Sequence, residues 1–210
     1  MAKVLVIGAS RGIGLETVRY ALAAGHHVRA LARSAGDIPI THIGLEKLNG
    51  SALEEADIDH GVAGCDAVIT TLGTPPTRGP VRLFSRSMGL VVDAMKRHGV
   101  RRLIAVTGIG AGSSRGVGGL LYARLFQPLV LGAVYADKDR EEAIVRQSGL
   151  DWTIVRPGFL TRFARTGKYR VLTDPRQWEG GFISRANVAD FLVGQITDAA
   201  YVGETPLLIE

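Results

Sequence analysis

The chain has 210 residues, of which 46% are hydrophobic, 6% aromatic and 21% charged, a balance that excludes a disordered or low-complexity protein. Its formal net charge is +5, carried by 25 basic residues scattered along the sequence, whereas a nucleic-acid binder gathers them into a run or stripe; a small anionic ligand is the expected partner, and nucleic acid is not. The single cysteine, Cys65, excludes an internal disulfide framework and a cysteine-cluster metal site.

Short apolar runs alternate with amphipathic stretches. Residues 3–7 read as a fully buried strand, 8–14 as a glycine-rich turn, and 13–24 as a helix with Leu15, Val18 and Leu22 on one face and Gly25 as its stop. Strands follow at 27–31 and, more weakly, at 46–48, then a strand at 67–71 and a helix at 84–97 closed by His98 and Gly99. The rest reads as a strand at 102–107, a helix at 137–147 ended by Gly149, a strand at 152–156, a helix at 186–196 and a last strand at 206–209. This alternation with short connections predicts an α/β class fold, a doubly wound parallel sheet of Rossmann type. No repeat or linker divides the chain, so one domain over 1–210 is expected.

Residues 108–134 read as an insertion. Gly108, Gly110, Gly112, Gly116, Gly118 and Gly119 suggest a mobile lid; Leu120, Leu121, Tyr122, Leu125, Phe126, Leu129 and Leu131 suggest an apolar helix. It would cover a flat hydrophobic substrate or bury against another subunit, and the chain is expected to be a monomer or a homodimer. Arg124 and Pro128 interrupt the apolar run, and no segment reads as a signal or a membrane span, so the expected setting is the reduced cytoplasm, with no membrane partner.

The strongest motif is Gly8-Ala9-Ser10-Arg11-Gly12-Ile13-Gly14, between a buried strand and a helix. A pyrophosphate needs backbone N–H groups, a helix N-terminus and no Cβ in its path, which glycines at 8, 12 and 14 supply. At the end of the second strand, NAD selection usually wants a carboxylate for the ribose hydroxyls. Here Arg33 and Ser34 stand there, and Arg11 can approach from the loop; two guanidiniums favour the 2′-phosphate of NADP(H).

With these residues the chain resembles the atypical short-chain dehydrogenase/reductases, in particular the small NAD(P)H-dependent flavin/biliverdin-reductase-like proteins. The resemblance runs nearly end to end: the glycine loop, Leu31-Ala32-Arg33-Ser34, residues 62–69 leading to Leu72-Gly73-Thr74, residues 94–100, residues 148–152 and Arg156-Pro157-Gly158. It implies that Ser10 to Gly14 hold the pyrophosphate, Arg33 and Ser34 the 2′-phosphate, and Leu72, Gly73 and Thr74 the nicotinamide ribose. Pro157, Gly158 and Phe159 would close over the nicotinamide. Ser51 and Ala52 occupy the adenine position where the family often has Asp and Val, which weakens the hydrogen bond to the base.

Carbonyl reduction in this group uses a Ser or Thr, a Tyr and a Lys four residues further on. Thr107 suits the first role. Tyr135 has Lys138 three residues on, and Asp139 at the expected spacing, so the triad is imperfect, with Lys138 placed by the resemblance toward the nicotinamide. A flavin or quinone takes hydride directly and relaxes the demand for an acid. The expected function is therefore an NADP(H)-dependent oxidoreductase acting on a small flat substrate such as a flavin, a quinone or a similar carbonyl compound. The alternatives are a non-catalytic NADP(H)-binding redox sensor and an NAD(P)-dependent epimerase or dehydratase, for which the stretch beyond Gly158 is short. Arg78, Arg82 and Arg86 read as a solvated helix face, and His26, His27, His42, His60 and His98 show no metal-ligand spacing, so no metal is expected.

Overall fold

The computed structural model describes residues 1–75, 77, 79–114, 117 and 132–210. In chain order the elements are β1 (Lys3–Ile7), α1 (Gly12–Ala23), β2 (His27–Ala32), β3 (Leu45–Asn49), α2 (Glu55–Val62), β4 (Ala67–Thr70) and α3 (Leu83–Arg97). There follow β5 (Arg102–Val106), α4 (Gly132–Gln147), β6 (Asp151–Pro157), β7 (Phe159–Thr161), β8 (Arg170–Leu172), β9 (Phe182–Ser184), α5 (Arg185–Gly194) and β10 (Leu207–Ile209).

One sheet runs in the order β3-β2-β1-β4-β5-β6-β10-β8, parallel except for the β10–β8 pair, and β7 and β9 form a separate parallel ribbon. The chain starts at β1, steps outward through β2 and β3, then crosses back to β4 and steps the other way. The carboxyl ends of β1 and β4 thus flank the switch point, where open parallel sheets bind ligands.

Both faces are covered because the central strands are apolar without alternation. Val4 and Val6 of β1 pack with Val18 and Leu22 of α1 and Val188 and Leu192 of α5. Leu5 and Ile7 point the other way, into a cluster with Ile58 of α2, Met88 and Val91 of α3 and Val145 of α4. Each such fully buried aliphatic side chain contributes roughly 1.5–3 kcal/mol.

The structure adds elements that the apolar pattern does not show. Helix α2 is short and acidic at its start, with Glu55 and Asp57 in the first turn, and buries only Ile58, Gly61 and Val62. Its carboxyl end is closed from a distance: buried Arg29 of β2 donates through Nη1 to the carbonyls of His60, Gly61 and Ala63, and through Nε to Glu46. Strands β7, β8 and β9 are three residues each, too short for a period to show. Helix α4 begins at Gly132 rather than 137, so Tyr135 lies inside it rather than before it.

Of the expected insertion, residues 115, 116 and 118–131 lie outside the described residues, as does Arg78. Within its described part, Ile109, Ala111 and Ser114 are buried, the Ile109 N–H donates to the Pro157 carbonyl, and the Gly112 N–H donates to Asp139 Oδ1 at 2.6 Å. A glycine-rich composition here serves a tightly bonded turn.

Candidate functional site

The cleft at the switch point begins with the loop between β1 and α1. The Gly8 N–H donates to the Leu31 carbonyl of β2 at 3.0 Å, and Thr71 Oγ1, just past β4, donates to the Ile7 carbonyl at 2.9 Å. Gly14 sits where the helix crosses this loop: a Cβ there would lie 2.2 Å from the Gly8 carbonyl oxygen and 2.6 Å from Thr71 Oγ1. Among the described residues no side chain caps α1: Arg11 at its N-cap is extended and makes no capping bond. The first-turn N–H groups are thus left as donors for an anion at the positive end of the helix dipole.

The cleft has a volume of about 1010 Å³, at the upper end for small-molecule sites. Its walls bring together Gly8, Ser10, Arg11, Gly12 and Ile13 from the loop, Leu72, Gly73 and Thr74 after β4, and Thr107, Lys138 and Pro157 from the β5, α4 and β6 side. Cations dominate: Arg11, Lys138, Arg162, Arg165 and Arg185 face it, against the single carboxylate Glu16 among the described lining residues. Arg185, the first residue of α5, was not apparent as a site residue in the sequence. Its Nη1 donates to the Thr161 carbonyl at 2.8 Å, and its Nε lies 3.8 Å from where a Cβ on Gly12 would stand, so it borders the phosphate-type loop.

Other expected site residues lie elsewhere. Arg33 and Ser34 are exposed just beyond β2 and do not line the cleft; Ser34 precedes a single 3-10 turn over Ala35–Asp37. Ser51 directs its N–H to Asp57 Oδ2 at 2.7 Å, a carboxylate supplied by the α2 helix, and Ala52 packs beside the α2–α3 core. Gly158 is buried, and a Cβ placed on it would lie 2.3 Å from the Gly181 carbonyl oxygen, so the bare backbone lets these segments pack closely. Phe159 turns to the other face of β7, its ring 5.8 Å from that of Phe182, so Leu160 is the side chain of this strand that reaches the cleft.

At the reaction end, Thr107 and Lys138 line the cleft, and Tyr135 is not among its described lining residues. Tyr135, inside α4, donates its hydroxyl to the Ile109 carbonyl at 2.7 Å. Thr107 does line the cleft, but its hydroxyl donates to Glu142 Oε1 at 2.9 Å. An ionised carboxylate only accepts, so the one Thr107 proton is committed and lone pairs face outward. Glu142 is held in turn by Arg156, which is 0% exposed and donates through Nε at 3.0 Å and Nη2 at 2.6 Å. The Arg156 guanidinium also donates to Ser113 Oγ and lies over the Trp178 ring. A charged residue inside the apolar strand β6 is the signal that could have revealed this pair, because such a charge is buried only with a partner.

Lys138 remains. Its Nζ lies 4.1 Å from the Phe84 ring centroid and 3.4 Å from the Val106 carbonyl. Burial pulls this ammonium below the ordinary lysine range, against the opposing attraction of Glu141, Glu142 and Asp137. Asp137 is itself occupied with the start of α3, accepting from the N–H groups of Phe84 and Ser85 and from Arg140.

A parallel sheet with a glycine loop and an uncapped helix at its switch point defines a dinucleotide-binding protein. The chain belongs to the NAD(P)H-binding family, which matches it over residues 8–199. It is 29% identical to an uncharacterized sugar epimerase, YhfK, of Bacillus subtilis, over 93% of this chain and 88% of that protein. It is 26% identical to the NAD(P)H azoreductase of Xenophilus azovorans over 74% of this chain, which spans only 48% of that enzyme. Among solved structures it resembles ChuY, an anaerobillin reductase from Escherichia coli O157:H7, with a TM-score of 0.82 and 25% identity over 99% of this chain and 97% of that one. The dinucleotide fits the site: the N–H groups at the uncapped start of α1 and the surrounding guanidiniums are what a pyrophosphate requires, and the missing Cβ of Gly14 lets the helix pack closely on the loop. Among the described residues no helix is long and apolar enough to cross a membrane, and no group of three His, Cys, Asp or Glu is placed to hold a metal ion.

Proposed function

We propose that the protein is an NADP(H)-dependent reductase that passes hydride to a small flat acceptor such as a flavin, a quinone or a similar conjugated carbonyl compound. The observation that carries this reading is the commitment of the Thr107 and Tyr135 protons to Glu142 and Ile109, which leaves neither hydroxyl to polarise an isolated carbonyl. A conjugated acceptor needs less, since its own ring spreads the charge. Reductases among the relatives, the azoreductase and the anaerobillin reductase, support the same class.

Bound NADPH supplies the hydride. The chain supplies the rest: the N–H groups at the start of α1 and Arg185 hold negative phosphate charge, and Phe84, Val106 and Pro157 exclude water from the inner wall. Thr107 presents lone pairs to an N–H or O–H of whatever lies against it, and Lys138 is the proton-bearing group beside it. The preference for the phosphorylated cofactor rests on Arg11 at the cleft and Arg33 at the exposed end of β2. A charge-assisted contact is worth about 1.5–3 kcal/mol, or roughly 10- to 100-fold.

The test is NADPH oxidation with oxidised FMN and with menadione, alongside calorimetry of NADPH and NADH. Turnover above a Gly12→Trp control, and an NADPH preference that falls about tenfold or more in Arg33→Ala, are expected. Equal affinity for both cofactors removes the NADP(H) assignment. Tight cofactor binding without turnover on either acceptor identifies a redox sensor instead.

A further inference from the structure

Behind Lys138, on the next turn of α4, stands a carboxyl group with no assigned task. Glu141 is 1% exposed, its Oε2 makes no hydrogen bond among the described residues, and that atom lies 3.9 Å from Lys138 Nζ. The other two acidic residues around Lys138 are fixed, Asp137 by the start of α3 and Arg140, Glu142 by Arg156 and Thr107. Glu141 has no such anchor, so among the three it is the one able to change its protonation state without breaking a hydrogen bond.

The charges acting on Glu141 come from Lys138, Glu142 and Asp137 of its own helix. The neighbouring helix α3 buries Phe84, Ser87, Met88 and Val91, and keeps Arg82 and Arg86 exposed. From the sheet, Thr70 and Ala105 are buried and uncharged. Burial pushes the Glu141 carboxyl up to about 7, Lys138 opposing and Glu142 and Asp137 reinforcing the rise. A carboxyl in that range holds its proton for part of the time at neutral pH. Lys138 stands between it and the cleft, so Lys138 is its nearest proton partner.

We propose that Lys138 and Glu141 form a proton relay, in which Glu141 is the positioning residue that returns a proton to Lys138 after Lys138 has given its own to the reduced acceptor. The proposal rests on the reductase reading, with NADPH as the two-electron donor. An acceptor that has gained hydride carries an extra electron pair, which takes H⁺ from the Lys138 ammonium as its N–H bond breaks. The neutral amine so formed takes the proton of the Glu141 acid, leaving an ammonium–carboxylate pair. Water in the cleft then restores the missing proton through Lys138, and no further reductant or oxidant is required.

Infrared titration of the whole chain tests the carboxyl directly. The wild type should show a protonated-carboxyl band that fades as pH rises through about 7 and is absent from Glu141→Gln. Lys138→Gln keeps Glu141 in place, removes the attracting charge, and should move the midpoint upward. Absence of the band, or a band unchanged in Glu141→Gln, overturns the relay. Calorimetry of NADPH binding near neutral pH, in buffers of differing ionisation heat, then reads the coupling: the added negative charge favours the protonated pair, so binding takes up protons. That uptake should fall by about threefold or more in Glu141→Gln. Equal uptake in both proteins overturns the relay while leaving the cofactor reading standing. Failure of the wild type to bind NADPH removes the proposed function and the relay with it, and the band then reports only a buried acid.

Discussion

The two ends of the cleft are built by different means. At the cofactor end the contacts are backbone: N–H groups of α1, carbonyls of Ile7 and Gly8, and a glycine whose missing side chain lets helix and loop touch. At the reaction end the architecture is side-chain chemistry buried under α4, where Thr107, Glu142 and Arg156 form one network and Lys138 with Glu141 another. The geometry of the first end depends on shape, and the stability of the second on balanced buried charge. Mutations that violate each rule separately should therefore fail in different assays.

The largest effect is expected where a charge is stranded. Arg156→Ala leaves Glu142 buried at 3% exposure without its bidentate partner, with Arg146 Nη2 at 3.5 Å and the more distant charge of Lys138 still facing it. Breaking such a pair costs about 3–5 kcal/mol, which urea unfolding reads directly. The double replacement Arg156→Met with Glu142→Leu should recover most of that loss, because no charge is left uncompensated. A double variant as unstable as the single would show that the packing, not the charge, holds this end together.

Next comes the shape rule. In Gly14→Ala the new methyl would sit 2.2 Å from the Gly8 carbonyl oxygen, so the loop must shift. Overpacking of this kind costs about 1–3 kcal/mol. The loop that moves carries the phosphate donors, so NADPH affinity should fall by roughly 10- to 100-fold in calorimetry. Gly12→Ala meets only the flexible end of Arg185 at 3.8 Å, and although its left-handed backbone adds strain, it should bind more tightly than Gly14→Ala.

The same division explains what could be read in the sequence. The sheet and the glycine loop were legible because they depend on patterns within a few residues: KVLVI for a strand buried on both faces, and glycines at fixed spacing before a helix. Thr107 was also legible as a cleft residue, through its position after β5, and Lys138 through the family resemblance. Their partners were not, because a hydrogen bond between residues 107 and 142, or between 135 and 109, depends on helix α4 crossing the end of β5. Helix α2 escaped notice for a related reason: its closing group, Arg29, comes from a strand more than thirty residues earlier. Gly158 shows how one glycine can serve two ends, since strand packing as well as cofactor approach demands a missing Cβ.

A smaller effect sharpens the charge rule through pH. The Glu141 carboxyl keeps its proton up to about 7 when folded, whereas a carboxyl in the unfolded chain releases it near 4.5. Between those values the native state binds more protons than the unfolded state, so this group's contribution to stability is present below the window and is lost as pH rises through it. Half-buried Asp59 and Asp151, held low by hydrogen bonds from Arg97 and Arg101, act in the opposite sense and only in a more acidic range. Urea unfolding at pH about 5 and about 7.5 should therefore show a decline in the wild type that is shallower in Glu141→Gln. Parallel curves would mean that Glu141 does not titrate in this window.

The smallest effect separates the two meanings of a hydroxyl. Thr107→Val keeps the shape of the wall and removes the group that donates to Glu142 Oε1, an atom that still accepts from Arg156 Nε at 3.0 Å. Stability should fall by only about 1 kcal/mol, the worth of one hydrogen bond whose acceptor keeps another donor. If Thr107 acts in turnover as an acceptor that orients its neighbour, Thr107→Val should lower kcat/KM for menadione by about tenfold, with the loss mainly in KM and the pH profile unchanged. Were Thr107 instead a donor to the developing charge, the loss would fall on kcat. Thr107→Ser, which restores the hydroxyl to the same carboxylate, should return most of the activity in either case and thereby exclude a purely steric cause.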